Sequence, residues 1–351
     1  MTERRSPPAH QTNLAEDPAG LAAKVSFLMQ PRPYPDAPDR VEAIETHMSW
    51  VFLTRLYAWK LKKPVHYDFL DFRSLEARRL NCEEEVRLNR RLAPKIYIGT
   101  VPLTADAAGQ LQLGGDGAAV DWLVQMHRLP ADRMLDRAIE AGTVQAGEIA
   151  QVARLLAQFY SSAAPEPVTP SAYRSGITAS LATNRDDLLD PDFGLPGDAV
   201  RTVAGRILRF LTAQAALFDR RVQQGRIVEG HGDLRPEHIF LGPNPAVIDC
   251  LEFNRDFRIL DPVDELAFLA MECAQLGAGG IGDGILEACC RELDDRPPAE
   301  LVTFFKAHRA MLRARLAILH LRDPGITESR RWRTRALAYL DLAVAYSGSL
   351  G

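Results

Sequence analysis

The sequence is short of several things, and each shortage excludes a class. No apolar run approaches the eighteen or so residues that a spanning helix needs, so no membrane segment is expected. Residues 1–20 are polar and proline-bearing and lack the apolar middle of a secretory signal; a disordered tail is expected there. Five cysteines, at 82, 250, 273, 289 and 290, form no CxxC pair and no zinc spacing, which predicts reduced thiols and a cytoplasmic protein. Cys250 is expected to be a small apolar filler at a strand end. Net charge is only −4, so there is no bulk attraction to nucleic acid or to an anionic membrane, and any phosphate must be held locally. No Walker A pattern occurs. Gly277, Gly279 and Gly282 satisfy GxGxxG, but they follow a helical pattern rather than a strand, so a loop between helices is expected.

What is present has an ordinary globular composition, 46% hydrophobic and 25% charged, on a length that suggests two lobes. Residues 21–126 are strand-rich. Trp50–Leu53 and Tyr57–Leu61 read as two strands around a turn at Thr54-Arg55, and Lys95–Leu103 and Trp122–Met126 as two more around a glycine-bearing hairpin at 109–117. Lys60 falls between Trp59 and Leu61. It is either an edge-strand lysine in solvent or a cation awaiting an anion; Lys62 and Lys63 are expected to face water. A helix is predicted from Ser74, its N-cap, to Leu92. Leu80, Val86, Leu88 and Leu92 mark its apolar side, Glu83 and Glu84 face water, and Glu85 borders the apolar stripe. Glu85 would turn inward to Lys60, or else pair with an arginine on its own helix.

Residues 127–351 are helix-rich. Helices are predicted over 132–141, 146–161, 199–224, 261–276, 284–293, 298–321 and 329–345, with a loop-rich stretch at 163–196. Arg309, Arg313, Arg315 and Arg322 are expected to form a solvated helix face. Within this half lies the densest chemistry, residues 229–253, EGHGDLRPEHIFLGPNPAVIDCLEF. Two apolar runs, 239–241 and 246–248, flank the turn Gly242-Pro243-Asn244-Pro245. A hairpin brings His231, Asp233, Arg235 and His238 at one end to the same side as Asp249 and Glu252 at the other. Acids, imidazole and guanidinium on one small volume suit a phosphate-and-metal site. A metal-dependent hydrolase built on His231, Asp233, His238 and Asp249 is one alternative that this cluster leaves open.

The run His231-Gly232-Asp233-Leu234-Arg235-Pro236-Glu237-His238 resembles the HxDxxxxN catalytic loop of the protein-kinase-like fold, and the glycine after the histidine makes it most similar to the aminoglycoside and choline or homoserine phosphotransferase branch. Ile248-Asp249, sixteen residues after Asp233, looks like that family's metal-binding aspartate. The resemblance implies an α+β, two-lobed protein-kinase-like fold with an antiparallel-sheet N-lobe and a helical C-lobe. It implies ATP with Mg²⁺ as cofactors and a small-molecule hydroxyl as phosphate acceptor. Asp233 would accept the hydroxyl proton, Arg235 would stabilise the transferred phosphoryl group, and Asp249 would hold Mg²⁺. Lys60 with Glu85 would hold the nucleotide phosphates, with Ser49, Gln125, Met126 and His127 also expected in nucleotide binding. His238 stands where the family carries asparagine as a second metal ligand; it would leave one Mg²⁺, admit Mn²⁺, or act through water. No glycine-rich loop precedes Lys60; either residues 46–49 cover the phosphates with a hydroxyl instead, or the nucleotide is held loosely. Those two departures also leave open a nucleotide-binding pseudokinase. Asp261 and Asp264 are expected to be structural, through capping and bonds to the catalytic loop, and His231 to support the loop rather than react. Glu252 and Asn254 face the expected acceptor side.

Overall fold

The computed structural model describes residues 20–67, 70–322 and 328–350. The tail expected at 1–20 lies outside these, apart from Gly20. The described chain forms two compact units: residues up to Arg90 with Pro94–Arg128, and Arg91–Ala93 with Leu129 onward.

The first unit runs α1 (Leu21–Leu28), β1 (Glu42–Glu45), β2 (Ser49–Leu53), β3 (Tyr57–Lys62), β4 (His66–Tyr67), β5 (Leu70–Asp71), α2 (Leu75–Asn89), β6 (Tyr97–Ala105), β7 (Leu111–Leu113) and β8 (Ala118–His127). Six strands make an antiparallel sheet in the order β1-β2-β3-β8-β6-β7. Alternation along β3 decides the two faces. Trp59 and Leu61 join Phe52, Leu103, Val120 and Leu123 in an apolar cluster with Leu28 of α1 and Tyr34. Lys60 and Lys62 therefore project from the opposite face, against which α2 lies.

Ser74 caps α2 as its residue type predicts, its hydroxyl accepting from the Ala77 N–H at 3.1 Å. The buried side of α2 carries Cys82, Glu85, Val86 and Leu88, whereas Leu80, expected among them, is exposed. A buried ionic cluster ties α1 to the sheet: Asp121 of β8 accepts from Lys24 at 2.8 Å and from Arg78 at 2.8 Å.

The second unit runs α3 (Leu135–Glu140), α4 (Ala146–Ser162), α5 (Pro170–Leu188), α6 (Gly197–Ala213), α7 (Ala215–Gln223), β9 (Val228–Glu229), β10 (Ile239–Phe240), β11 (Ala246–Val247), β12 (Ile259–Leu260), α8 (Pro262–Gln275), α9 (Gly279–Glu292), α10 (Ala299–Leu319) and α11 (Ser329–Gly348). Its core is α8, buried along nearly its whole length. The expected loop at 163–196 is largely the helix α5. Pro170, which reads as a breaker, occupies the first turn, where no N–H is needed, behind the cap Thr169. The GxGxxG glycines likewise lie partly inside a helix. A Cβ on Gly282 of α9 would sit 2.5 Å from the Ala270 Cα, so the glycine allows α8 and α9 to approach closely. The helix expected over 199–224 breaks at Gln214 into α6 and α7. No helix among the described residues is long and apolar enough to cross a membrane.

The arginines of α10 do not make a solvated face. Arg309 pairs in two-pronged fashion with Asp264 at 2.7 and 2.8 Å, Arg313 with Glu272 at 2.7 Å, and Arg315 with Asp187 at 2.5 Å. Arg322 beyond the helix pairs with Asp190. Their acids come from α5, its C-terminal flank and α8, too far away in sequence for helical spacing to reveal.

Candidate active site

The hairpin predicted from 229–253 forms as β10 and β11, with Ile239 opposite Val247 and Phe240 opposite Ala246. Its two ends converge as expected. Arg235 Nη2 lies 2.9 Å from an Asp233 carboxylate oxygen and 3.2 Å from His238 Nε2, and His238 Nε2 lies 3.5 Å from Asp249 Oδ2. The four predicted residues Asp233, Arg235, His238 and Asp249 thus share one small volume.

Each is placed by a definite local cause. Gly232 has φ +89°, and a Cβ there would press on Arg258 and Leu251 at 3.0 and 3.1 Å, so the sharp turn that presents Asp233 requires glycine. Its backbone donors are collected by one side chain: the buried Glu265 carboxylate accepts from the N–H groups of His231 and Gly232 and from the Tyr160 hydroxyl at 2.6 Å. Glu265 was not singled out by sequence, although an acid opening the apolar run 266–271 was a usable signal. Asp261 caps α8 through the Val263 N–H at 2.9 Å and pairs with Arg221, while Asp264 is taken by Arg309. The expected pair is structural, but the bonds to the loop come from Glu265.

His231 is fully buried, with Nε2 3.0 Å from the Ile248 carbonyl and Nδ1 accepting from the Asp233 N–H at 3.3 Å. Burial, reinforced by nearby His238, pushes its pKa down to about 3, so it is neutral. Both ring nitrogens are spent on the backbone, which removes it as a metal ligand or catalyst. Cys250 is buried, its thiol pushed up to about 12 chiefly by burial, and Sγ lies 3.1 Å from the His231 carbonyl oxygen; it is a filler, as expected.

Burial alone would raise the Asp233 pKa, but Arg235, His238 and Arg313 outweigh it and hold the carboxyl below its ordinary value. Asp233 is therefore ionised at neutral pH. His238 Nδ1 lies 2.8 Å from the Asp233 carbonyl oxygen. Since a carbonyl only accepts, this network assigns the proton to Nδ1 and leaves the Nε2 lone pair facing Arg235 and Asp249. Asp249 adopts φ +61°, a conformation uncommon for a non-glycine residue, and its carboxylate is 46% exposed. An accessible carboxylate beside an imidazole nitrogen suits a divalent cation that takes its other ligands from water or phosphate oxygen. Arg235 Nη1 donates to Glu237 at 2.5 Å, and its Nε is buried with no acceptor among the described residues. Asn254 caps a short 3₁₀ turn, accepting from the Asp256 N–H at 2.9 Å.

In the first unit Lys60 does meet Glu85, at 3.0 Å. Lys62, expected in solvent, is buried and reaches the other oxygen of the same carboxylate at 2.5 Å. Its i, i+2 spacing from Lys60 places both ammonium groups on the α2 face. Ser49, at the start of β2, is buried. The turn before it is closed by the Thr46 N–H on the Ser49 carbonyl at 2.8 Å and by the Thr46 hydroxyl, which accepts from the Ser49 N–H at 3.0 Å. Gln125, Met126 and His127 end β8, opposite Trp59, Ala58 and Tyr57 of β3; Met126 is buried and His127 exposed.

Comparison with solved structures defines the fold. A choline/ethanolamine kinase family protein from Mesorhizobium loti superposes with a TM-score of 0.53 at 15% identity, over 92% of this chain and 98% of that one. Choline kinase from Cryptosporidium parvum gives 0.52 at 10% identity over 91% and 94%. The APH(2")-IIia structure, a complex with GDP and kanamycin, gives 0.51 at 15% identity over 92% and 98%. The chain has the α+β, protein-kinase-like fold of these small-molecule kinases. In sequence it is similar to uncharacterised proteins of Mycobacterium tuberculosis and Mycobacterium bovis, 34% identical over 282 residues. That match takes in 79% of this chain and 54% of the relative, so the chain spans about half the length of the curated relatives it matches. No family model matches.

Proposed function

We propose that the chain is an ATP-dependent phosphotransferase that moves the γ-phosphoryl group to a hydroxyl of a small molecule, with Mg²⁺ or Mn²⁺. The observation that carries this reading is the convergence of Asp233, Arg235, His238 and Asp249 on a glycine-dependent loop within the fold shared with small-molecule kinases. Phosphoryl transfer asks the protein for positioning and charge neutralisation rather than a strong base, because the hydroxyl proton leaves late. An ionised Asp233 orients the acceptor hydroxyl and receives that proton. Arg235 faces the transferred oxygens, where its buried Nε would find the acceptor it lacks. Asp249, with His238 Nε2 or a water held by it, would hold the metal, which when bound neutralises phosphate charge. Lys60, held with Lys62 on Glu85, neutralises nucleotide phosphates, and Ser49, Gln125, Met126 and His127 contribute to the nucleotide site.

The test is a thermal shift with MgATP, MgGTP and MnATP, followed by ADP release over pooled hydroxylated metabolites. Stabilisation by metal–nucleotide that disappears in Asp249→Asn supports the reading; no stabilisation by any metal–nucleotide contradicts it. A nucleotide-binding pseudokinase is the second reading, favoured by His238 Nδ1 being committed to the loop carbonyl. It predicts the same thermal shift with no ADP release.

A further inference from the structure

Arg235 is shared between two carboxylates, and only one of them has a part in the chemistry proposed above. Its Nη1 donates to Glu237 at 2.5 Å, its Nη2 lies 2.9 Å from Asp233 Oδ2 and 3.2 Å from His238 Nε2, and its Nε is buried without an acceptor among the described residues. The 3₁₀ turn Pro236–His238, closed by the His238 N–H on the Arg235 carbonyl at 3.0 Å, brings Glu237 round to the guanidinium. A planar guanidinium beside a carboxylate readily closes a two-pronged pair, as Arg309 does with Asp264 at 2.7 and 2.8 Å. Arg235 closes no such pair on Asp233. Its nearest approach there is a single nitrogen, Nη1 is taken by Glu237, and no hydrogen-bond donor sits on Asp233 Oδ1 among the described residues. An exposed ion pair between sequence neighbours contributes little. The Arg235 side chain, however, is only 17% exposed, so whatever holds its Nη1 decides where its other nitrogens lie.

We propose that Glu237 is a positioning residue for the transfer: by holding Nη1 it keeps Arg235 from closing on Asp233, which leaves the Asp233 carboxylate open to the acceptor hydroxyl and the Arg235 Nε open to the transferred phosphoryl group. This rests on the phosphotransferase reading and adds to it a residue that touches neither reactant. Without Glu237, the Arg235 fork turns onto Asp233 and serves the phosphoryl group less. Charge alone predicts the opposite, since taking an acid away from a phosphate site should tighten anion binding. The two effects are therefore separable by a variant that removes the charge of Glu237 and keeps its oxygen.

The experiment is calorimetric titration of the full chain with MgADP and with the non-hydrolysable β,γ-imido analogue of MgATP, which adds the γ-phosphoryl group. The natural chain is compared with Glu237→Ala, Glu237→Gln, Arg235→Ala and the double variant Arg235→Ala with Glu237→Ala. The natural chain should prefer the analogue to MgADP. That preference should fall about tenfold in Glu237→Ala and largely survive in Glu237→Gln, whose amide oxygen still accepts from Nη1. Glu237→Ala should cause no further loss once Arg235→Ala is in place, because its effect runs through Arg235. MgADP affinity should stay the same across the set, which also shows that each variant is folded. No preference in the natural chain, Ala and Gln variants that behave alike in either direction, or a further loss in the double variant overturns the role of Glu237. If the natural chain binds neither nucleotide, the phosphotransferase reading itself falls; if it binds them and the variants disagree with expectation, only the role of Glu237 does.

Discussion

His238 carries the sharpest question at the residue scale, because its two nitrogens do different work. Nδ1 is anchored on the Asp233 carbonyl, while Nε2 lies 3.5 Å from Asp249. A nitrogen donor disfavours Mg²⁺ relative to Mn²⁺. Metal-dependent turnover is therefore expected to run faster with Mn²⁺ than with Mg²⁺ in the natural chain, and His238→Asn to reverse the preference while keeping the loop contact through its amide. Steady-state rates at matched free metal check this; an unchanged metal preference in His238→Asn would exclude Nε2 from the metal. The importance of position 238 was legible from the motif, but the use of Nδ1 was not, since it depends on a carbonyl that only the turn at Gly232 brings within reach.

Two elements are held by single buried carboxylates, and both make predictions. On α2, Glu85 binds two lysines that differ in setting: the Lys62 side chain is 1% exposed and that of Lys60 14%. Lys62→Met should lower stability by about 3 kcal/mol, since it removes one partner of a buried pair. Lys60→Met should cost less stability and weaken nucleotide binding more; urea denaturation and MgATP titration of both variants separate the effects, and the reverse ranking would make Lys62 the phosphate-facing lysine. On α8, Glu265→Ala should strand the N–H groups of His231 and Gly232 and the Tyr160 hydroxyl, costing about 3–5 kcal/mol in the same urea assay. A loss under about 1 kcal/mol would show that the loop does not lean on it. The sequence reveals elements whose signals are local, such as the Ser74 cap, the β2–β3 pair and the hairpin after residue 238. It conceals α5, because Pro170 breaks a helix interior but opens a helix equally well, and it conceals Lys62 and Glu265, whose partners lie 23 and more than 30 residues away. The two-residue strands β9 and β12 pair across the same kind of distance, with Glu229 opposite Ile259, and carry no periodicity to read.

At the scale of the whole molecule, buried histidines set the acid limit. His231 and His308 are pushed down to about 3 and about 4, both chiefly by burial, and the His308 Nε2 has no acceptor among the described residues. A histidine unfolded near its ordinary value of about 6.5 takes up a proton there that the folded chain refuses. Between about pH 6.5 and pH 4 the unfolded state thus binds more protons, and each histidine should remove up to about 1.4 kcal/mol of stability per pH unit as pH falls. His308→Leu, which spares the loop and keeps contact with Phe304, should flatten that slope by the share of one histidine; urea midpoints at pH 7, 5.5 and 4.5 measure it, and an unaltered slope would refute the assignment. The proposed activity itself rests most directly on Asp233. In Asp233→Asn, ADP release coupled to phosphorylation of an acceptor identified with the natural chain should fall by about 10²–10⁴-fold while the MgATP thermal shift persists. Transfer at the natural rate in that variant would contradict the account.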